Sequence, residues 1–215
     1  MRQDGRVALG LLCGLVEQIA ALRADGLEVL VVSSGAVGLG MERLGLMERP
    51  TAIAQIQACA ANGQSRLMAL YDDAFARMNS PIAQVLLTED DFRDPERHAN
   101  LRATLDALLM KHIDADLLVL LSDVDGLYDK PPQEAGARVI ARVEEIDEHV
   151  LALADGGNGR GRGGMASKLE SARIVLRAGK QVVIANGRTP QVLERIIAGE
   201  QLGTRFATAL EETAQ

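Results

Sequence analysis

The stretch Gly156-Gly157-Asn158-Gly159-Arg160-Gly161-Arg162-Gly163-Gly164-Met165-Ala166-Ser167-Lys168 carries the clearest chemistry in this chain. Glycines let a backbone turn its N–H groups toward a ligand without interference from Cβ. The apolar spacing that follows predicts a helix over Leu169–Ala178. A helix N-terminus adds unpaired N–H donors and a partial positive charge. Lys168 adds a full charge in the first turn, and Arg160 and Arg162 stand in the loop itself. Together these groups suit a phosphate. The plainer alternative is a flexible surface loop before an ordinary amphipathic helix. The spacing is not that of a G-x-x-x-x-G-K-[ST] loop, and no strand leads directly into it as a dinucleotide fingerprint requires.

Other chemistries have little support. Cys13 and Cys59 lie far apart and in no C-x-x-C, which favours two thiols over a disulfide or a zinc site. His98, His112 and His149 are scattered, so neither a metal cluster nor a histidine-based triad is expected.

Elements that could position the loop alternate along the chain. Ala8–Arg23 has the apolar spacing of a buried helical stripe and stops at Asp25-Gly26. Glu28–Ser33 reads as a buried strand, and Ser34-Gly35-Ala36 turns into a second helix. Ala52–Met78 is a long helical region before a strand over Ile82–Leu87. Thr88 is a candidate N-cap, and a helix follows over Arg97–Lys111. Asp116–Leu121 reads as a central strand ending at Ser122-Asp123, Gln181–Ala185 as another, and Gln191–Ala198 as the last helix. Short apolar β runs separated by helices predict an α/β fold, a mostly parallel sheet sandwiched between helices, in a single domain over 1–215. Ligands bind such sheets at the carboxyl ends of the strands. Ser33-Ser34-Gly35, Ser122-Asp123 and the Gly159–Lys168 loop all fall at or beyond such ends.

The 215 residues are enough for a substantial core. A net charge of −7 and the absence of tryptophan speak against a general nucleic-acid or membrane-surface binder. The apolar run Val7–Val16 carries Asp4 before it and no small-residue cleavage site after it, which favours a buried helix over a secretion signal and so points to a cytoplasmic location. No apolar run is long enough to span a bilayer.

Several motifs taken together resemble the amino acid kinase family, and within it the glutamate 5-kinase branch. They are Val32-Ser33-Ser34-Gly35-Ala36-Val37, Gly63-Gln64-Ser65-Arg66-Leu67, Gln84-Val85-Leu86-Leu87-Thr88, Asn100-Leu101-Arg102-Ala103-Thr104-Leu105, Leu120-Leu121-Ser122-Asp123-Val124-Asp125-Gly126-Leu127-Tyr128 and Gly163-Gly164-Met165-Ala166-Ser167-Lys168-Leu169. The resemblance runs from about Val16 to Phe206. It implies transfer of the ATP γ-phosphoryl group, with Mg²⁺, to the side-chain carboxylate of L-glutamate, the opening step of proline biosynthesis, by a homo-oligomer. It also implies that Ser34 and Gly35 bind glutamate. Ser122 and Asp123 would meet the nucleotide, and Arg162, Gly163, Gly164, Met165, Ala166, Ser167 and Lys168 would line its phosphates, with Lys168 stabilising charge on the moving group. Arg162 stands where the family pattern has threonine. Tyr128 and Lys130 are candidates to flank the nucleotide, against the plainer reading of a surface turn. A carboxylate is already ionised at neutral pH, so this chemistry needs no general base and no histidine.

The chain also departs from the family pattern. Met1–Arg6 does not carry the expected lysine-bearing strand of type V-V-K-x-G-[ST]-S. Lys111-His112-Ile113-Asp114 passes almost directly to the next strand, where the family has I-N-E-N-D and G-D-N-D segments that help bind glutamate. The sequence ends without the C-terminal PUA domain of longer members. These departures predict a sheet short of two strands and little or no glutamate kinase activity. They keep open a non-catalytic nucleotide-binding remnant, or a regulatory or oligomerising subunit of an intact kinase.

Overall fold

The computed structural model describes residues 8–88, 90–109, 115–155 and 164–207. They fall into two compact units, within residues 1–113 and 114–215.

The first unit is helical. Helix α1 (Leu9–Ala24) buries Val16, Ile19 and Leu22, three residues apart, and ends where the Asp25 N–H donates to the Ala21 carbonyl at 3.0 Å. Helix α2 (Gly35–Leu44) stops at Gly45 in the left-handed region. Helix α3 (Ile53–Ala76) packs along α2, with Ala36, Leu39 and Leu67 forming a core that Leu70 and Tyr71 extend. Small residues set that approach. A Cβ at Gly40 would overlap the Cys59 carbonyl, and one at Gly63 would overlap the Ala36 carbonyl. Ala36/Gly40 on one helix and Cys59/Gly63 on the other therefore let the two backbones touch.

A short helix α4 (Asp90–Arg93) precedes α5 (Pro95–Leu109). The expected start at Arg97 moves forward to Pro95. Asp94 accepts from the N–H groups of Glu96 (3.0 Å) and Arg97 (2.9 Å), and proline suits the first helical position. Thr88, the expected N-cap, lies two residues before α4 and acts as a donor to it. Its N–H and hydroxyl donate to Asp91 Oδ2 at 2.6 and 2.7 Å, which holds the Asp91 carboxyl below its ordinary range.

Two expected strands in this unit are not formed. Glu28–Ser33 and Ile82–Leu87 carry no ladder with any described residue. A strand is held by its neighbour's hydrogen bonds, and hydrophobic character alone does not supply one. Val32 is consequently 91% exposed and Leu86 72%.

The second unit is α/β. Its strands are β1 (Leu117–Ser122), β2 (Arg142–Val143), β3 (Gln181–Asn186) and β4 (Thr204–Phe206), in the order β1-β3-β4-β2. The β1–β3 and β2–β4 pairs are parallel, and β3–β4 is antiparallel. The sheet is thus mostly parallel; β1 and β3 form where the sequence predicts strands, but β1, expected to be central, stands at an edge of the described sheet. The short strands β2 and β4 were not foreseen. Neither was helix α6 (Glu148–Asp155), which packs against α7 (Met165–Arg177). Helix α8 (Val192–Ile197) packs on β3. Leu169 and Ala172 of α7 join Val182, Ile184, Leu127 and Phe206 in a core closed to solvent.

Candidate functional site

Strands β1 and β3 lie side by side in one direction, and their last in-register pair is Ser122 with Asn186. The Gly187 N–H donates to the Ser122 carbonyl at 2.9 Å, extending the ladder one step beyond the strands. Both chains then leave the sheet at the same edge. Helix α7 joins β3 through only Ala178-Gly179-Lys180 and packs on both strands. It must therefore run back along β3, which brings its N-terminus toward the carboxyl ends of the strands. Thirteen helical residues and six strand residues each span about 20 Å, so the helix start and the strand ends reach the same level.

Gly164 is the N-cap of α7, in extended conformation, with no side-chain acceptor for the first-turn N–H groups. Those donors are the ones a bound anion would take. The helix starts four residues earlier than expected, so Met165, Ala166, Ser167 and Lys168 are all helical. Lys168 is half-buried, and its own N–H bonds the Gly164 carbonyl at 3.3 Å. Leu169, fully buried beside it, anchors the turn to the core. Arg162 and Gly163, with the rest of the loop from Gly156, lie outside the described residues.

At the end of β1, Asp123 is exposed, and the Ser122 hydroxyl donates to its Oδ1 at 3.4 Å. The segment beyond is firmly built. The buried Thr204 hydroxyl accepts from the Leu127 N–H at 2.8 Å. A Cβ at Gly126 would sit 2.7 Å from that same oxygen, so only glycine fits there. Asp125 accepts from the Tyr128 hydroxyl (3.1 Å) and from Asn186 Nδ2 (2.8 Å), and Asn186 Oδ1 in turn accepts from the Arg188 N–H (3.0 Å). Burial, and secondarily the bond to Asp125, push the Tyr128 phenol above its ordinary pKa. Lys130 turns back to the Ala135 carbonyl at 2.8 Å.

In the first unit, Ser34 is exposed at the N-cap position of α2. Its hydroxyl makes no cap bond. Ser33 takes that part, its Oγ accepting from the Gly35 N–H at 3.2 Å. A Cβ at Gly35 would press on Leu67 Cδ1 at 3.1 Å, so glycine keeps this turn against α3. Ser34 follows a segment that forms no ladder with any described residue, where the sequence led to the expectation of a strand end.

Asp125, Asn186 and Gly187 were not singled out from the sequence. The available signal was the apolar run Val182–Ala185 closing on Asn186-Gly187, a polar residue and a glycine at a strand's carboxyl end. Among the described residues, no three His, Cys, Asp or Glu side chains are grouped to hold a metal ion, and no helix is long and apolar enough to cross a membrane.

The fold is found elsewhere. A Giardia lamblia carbamate kinase solved with AMP-PNP superposes with a TM-score of 0.57 at 16% identity, covering 92% of this chain and 89% of the other. An Archaeoglobus fulgidus uridylate kinase gives 0.55 at 18%, covering 91% and 92%. In sequence, a glutamate 5-kinase from Gloeobacter violaceus is 44% identical over 95% of this chain and 64% of its own length. One from Nostoc punctiforme is 41% identical over 99% and 67%. The chain spans about 64–65% of the length of relatives such as that of Gloeobacter. The Gloeobacter alignment takes 237 positions to cover 95% of 215 residues, about 204, so roughly 33 positions have no counterpart here. The amino acid kinase family model matches in two stretches, residues 3–113 and 107–186, and breaks where the sequence lacked the acidic segments. With matches extending over most of its length, this chain belongs to the amino acid kinase family.

Proposed function

We propose that this chain carries the ATP-dependent glutamate 5-kinase function, phosphorylation of the L-glutamate side-chain carboxylate, with both units forming one kinase domain over 1–215. The observation that carries the proposal is the juxtaposition in the second unit of the β1 and β3 carboxyl ends with the N-terminus of α7. The kinship of the sequence to glutamate 5-kinases supports the choice of substrate. Ser122 and Asp123 would meet the nucleotide. The N–H groups of Gly164–Ser167 and the Lys168 ammonium would take its phosphates, with Arg162 and Gly163 contributing from the loop. Ser34, its hydroxyl uncommitted to capping, and Gly35 would bind glutamate.

In this reaction a glutamate carboxylate oxygen forms a bond to the γ-phosphorus while the bond from that phosphorus to the β,γ-bridging oxygen breaks, leaving ADP. No proton has to move, so catalysis rests on positioning and on neutralising charge. Lys168 and the α7 N-terminus do the neutralising. Mg²⁺ usually reaches kinase sites on the substrate phosphates with one or two carboxylates. Exposed Asp123 suits that role, and the ion would supply further charge neutralisation. Cytoplasmic location and homo-oligomer assembly accompany this reading.

A second reading, a nucleotide-binding protein with little turnover, is favoured by the roughly 33 unmatched positions and by segments 28–33 and 82–87, which form no ladder with any described residue. Purified chain incubated with ATP, Mg²⁺ and L-glutamate, with hydroxylamine to trap the acyl phosphate, separates the two. Glutamate-dependent hydroxamate supports the kinase. ATP binding without hydroxamate supports the second reading, and neither binding nor product removes both.

A further inference from the structure

We propose that Asp125 is a positioning residue of the nucleotide site, locking the segment after β1 to the segment after β3 through its two carboxylate oxygens. The proposal rests on reading these strand ends as the nucleotide site. Main-chain bonding between the two strands stops at Ser122 and Gly187. Beyond that point Asp125 is the link. Its Oδ1 accepts from Asn186, 61 residues away, and its Oδ2 accepts from Tyr128, three residues on. Asn186 in turn fixes the Arg188 N–H. One exposed carboxylate thus orders a tyrosine, an asparagine and the turn after β3.

The two carboxylates of Ser122-Asp123-Val124-Asp125 therefore divide their work. Asp123 meets only the neighbouring serine hydroxyl among the described residues, whereas both oxygens of Asp125 are spent on protein donors. These two bonds hold the carboxylate toward its protein neighbours. Its effect on a nucleotide passes through the placement of Tyr128 and of the backbone around Arg188. Asparagine could keep both links, with its carbonyl accepting from Asn186 and its amide donating to the Tyr128 oxygen. Alanine keeps neither.

The chain has no tryptophan and only two tyrosines, Tyr71 and Tyr128. In a Tyr71→Phe background, Tyr128 emission reports its own surroundings, and a carboxylate partner quenches it. The test measures this emission and ATP affinity by calorimetry in that background, alone and with Asp125→Ala or Asp125→Asn. The thermal midpoint is followed as a control on folding. Asp125→Ala should raise the emission and weaken ATP binding about 5- to 30-fold, while Asp125→Asn should restore affinity to within about threefold of the parent. Unchanged emission in Asp125→Ala would overturn the link itself. Raised emission with unchanged ATP affinity would overturn the positioning role and leave the nucleotide site standing. Failure of the Asp125-intact protein to bind ATP would remove the nucleotide-site reading, and the proposal with it.

Discussion

The Leu127 N–H donates to the Thr204 hydroxyl at 2.8 Å, a buried bond between residues 77 apart in sequence. It ties the segment after β1 to the start of β4, and the tight seat of Gly126 against the same hydroxyl allows no slack. Thr204→Val keeps the shape and removes the acceptor, leaving a buried N–H unsatisfied. That should cost about 1–3 kcal/mol. Urea unfolding followed by the far-ultraviolet signal measures it, and a midpoint equal to the parent's would count against the bond.

In the first unit, the α2–α3 contact is set by Gly40 and Gly63. Gly63→Ala drives a methyl into the Ala36 carbonyl, and overpacking of this kind costs about 1–3 kcal/mol. Gly10→Ala is the control, since a Cβ there meets nothing. Equal stability of the two variants in thermal unfolding would show that the helices are not so closely apposed.

How far the fold was legible follows from these same residues. Helix positions came through because apolar spacing and Gly, Asp and Pro punctuation act locally: Asp25-Gly26 and Gly45 end helices by their own geometry. Strands β1 and β3 were legible because each is a continuous apolar run between turns. Glu28–Ser33 and Ile82–Leu87 have that same signature, yet they form no ladder with any described residue, and a neighbouring strand is not a local property. Strands β2 and β4, of two and three residues, are too short to carry a pattern. The site divided in the same way. Lys168 and Ser122-Asp123 stood out by composition, whereas Asp125 acquires its role only when β3 brings Asn186 beside it.

The Thr88–Asp91 link should be pH-dependent. The Asp91 carboxyl is held below its ordinary range, first by the Thr88 hydroxyl and then by the Thr88 N–H, with Arg97 adding attraction. A lowered carboxylate pKa means the contribution is fully present above the ordinary carboxylate range and is lost as pH falls through the lowered value. Nuclear magnetic resonance titration of the Asp91 carboxyl should show it moving up in Thr88→Ala. A midpoint unmoved by that change would contradict the link.

Turnover should be glutamate-dependent yet well below that of a full-length glutamate 5-kinase. Misplacement by about 1 Å can cost roughly 10²-fold in rate, and about 33 aligned positions of the Gloeobacter relative have no counterpart here. In the hydroxamate assay, a rate matching that of a full-length glutamate 5-kinase would overturn this expectation.

The most direct test of the central claim, that the α7 N-terminus and the β1 and β3 ends hold ATP, is calorimetric titration of ATP into the parent chain and into Lys168→Ala. The account predicts that the parent binds and that the variant binds about 10- to 100-fold more weakly, as befits loss of a charge-assisted phosphate contact. Equal affinities in the two proteins would contradict it.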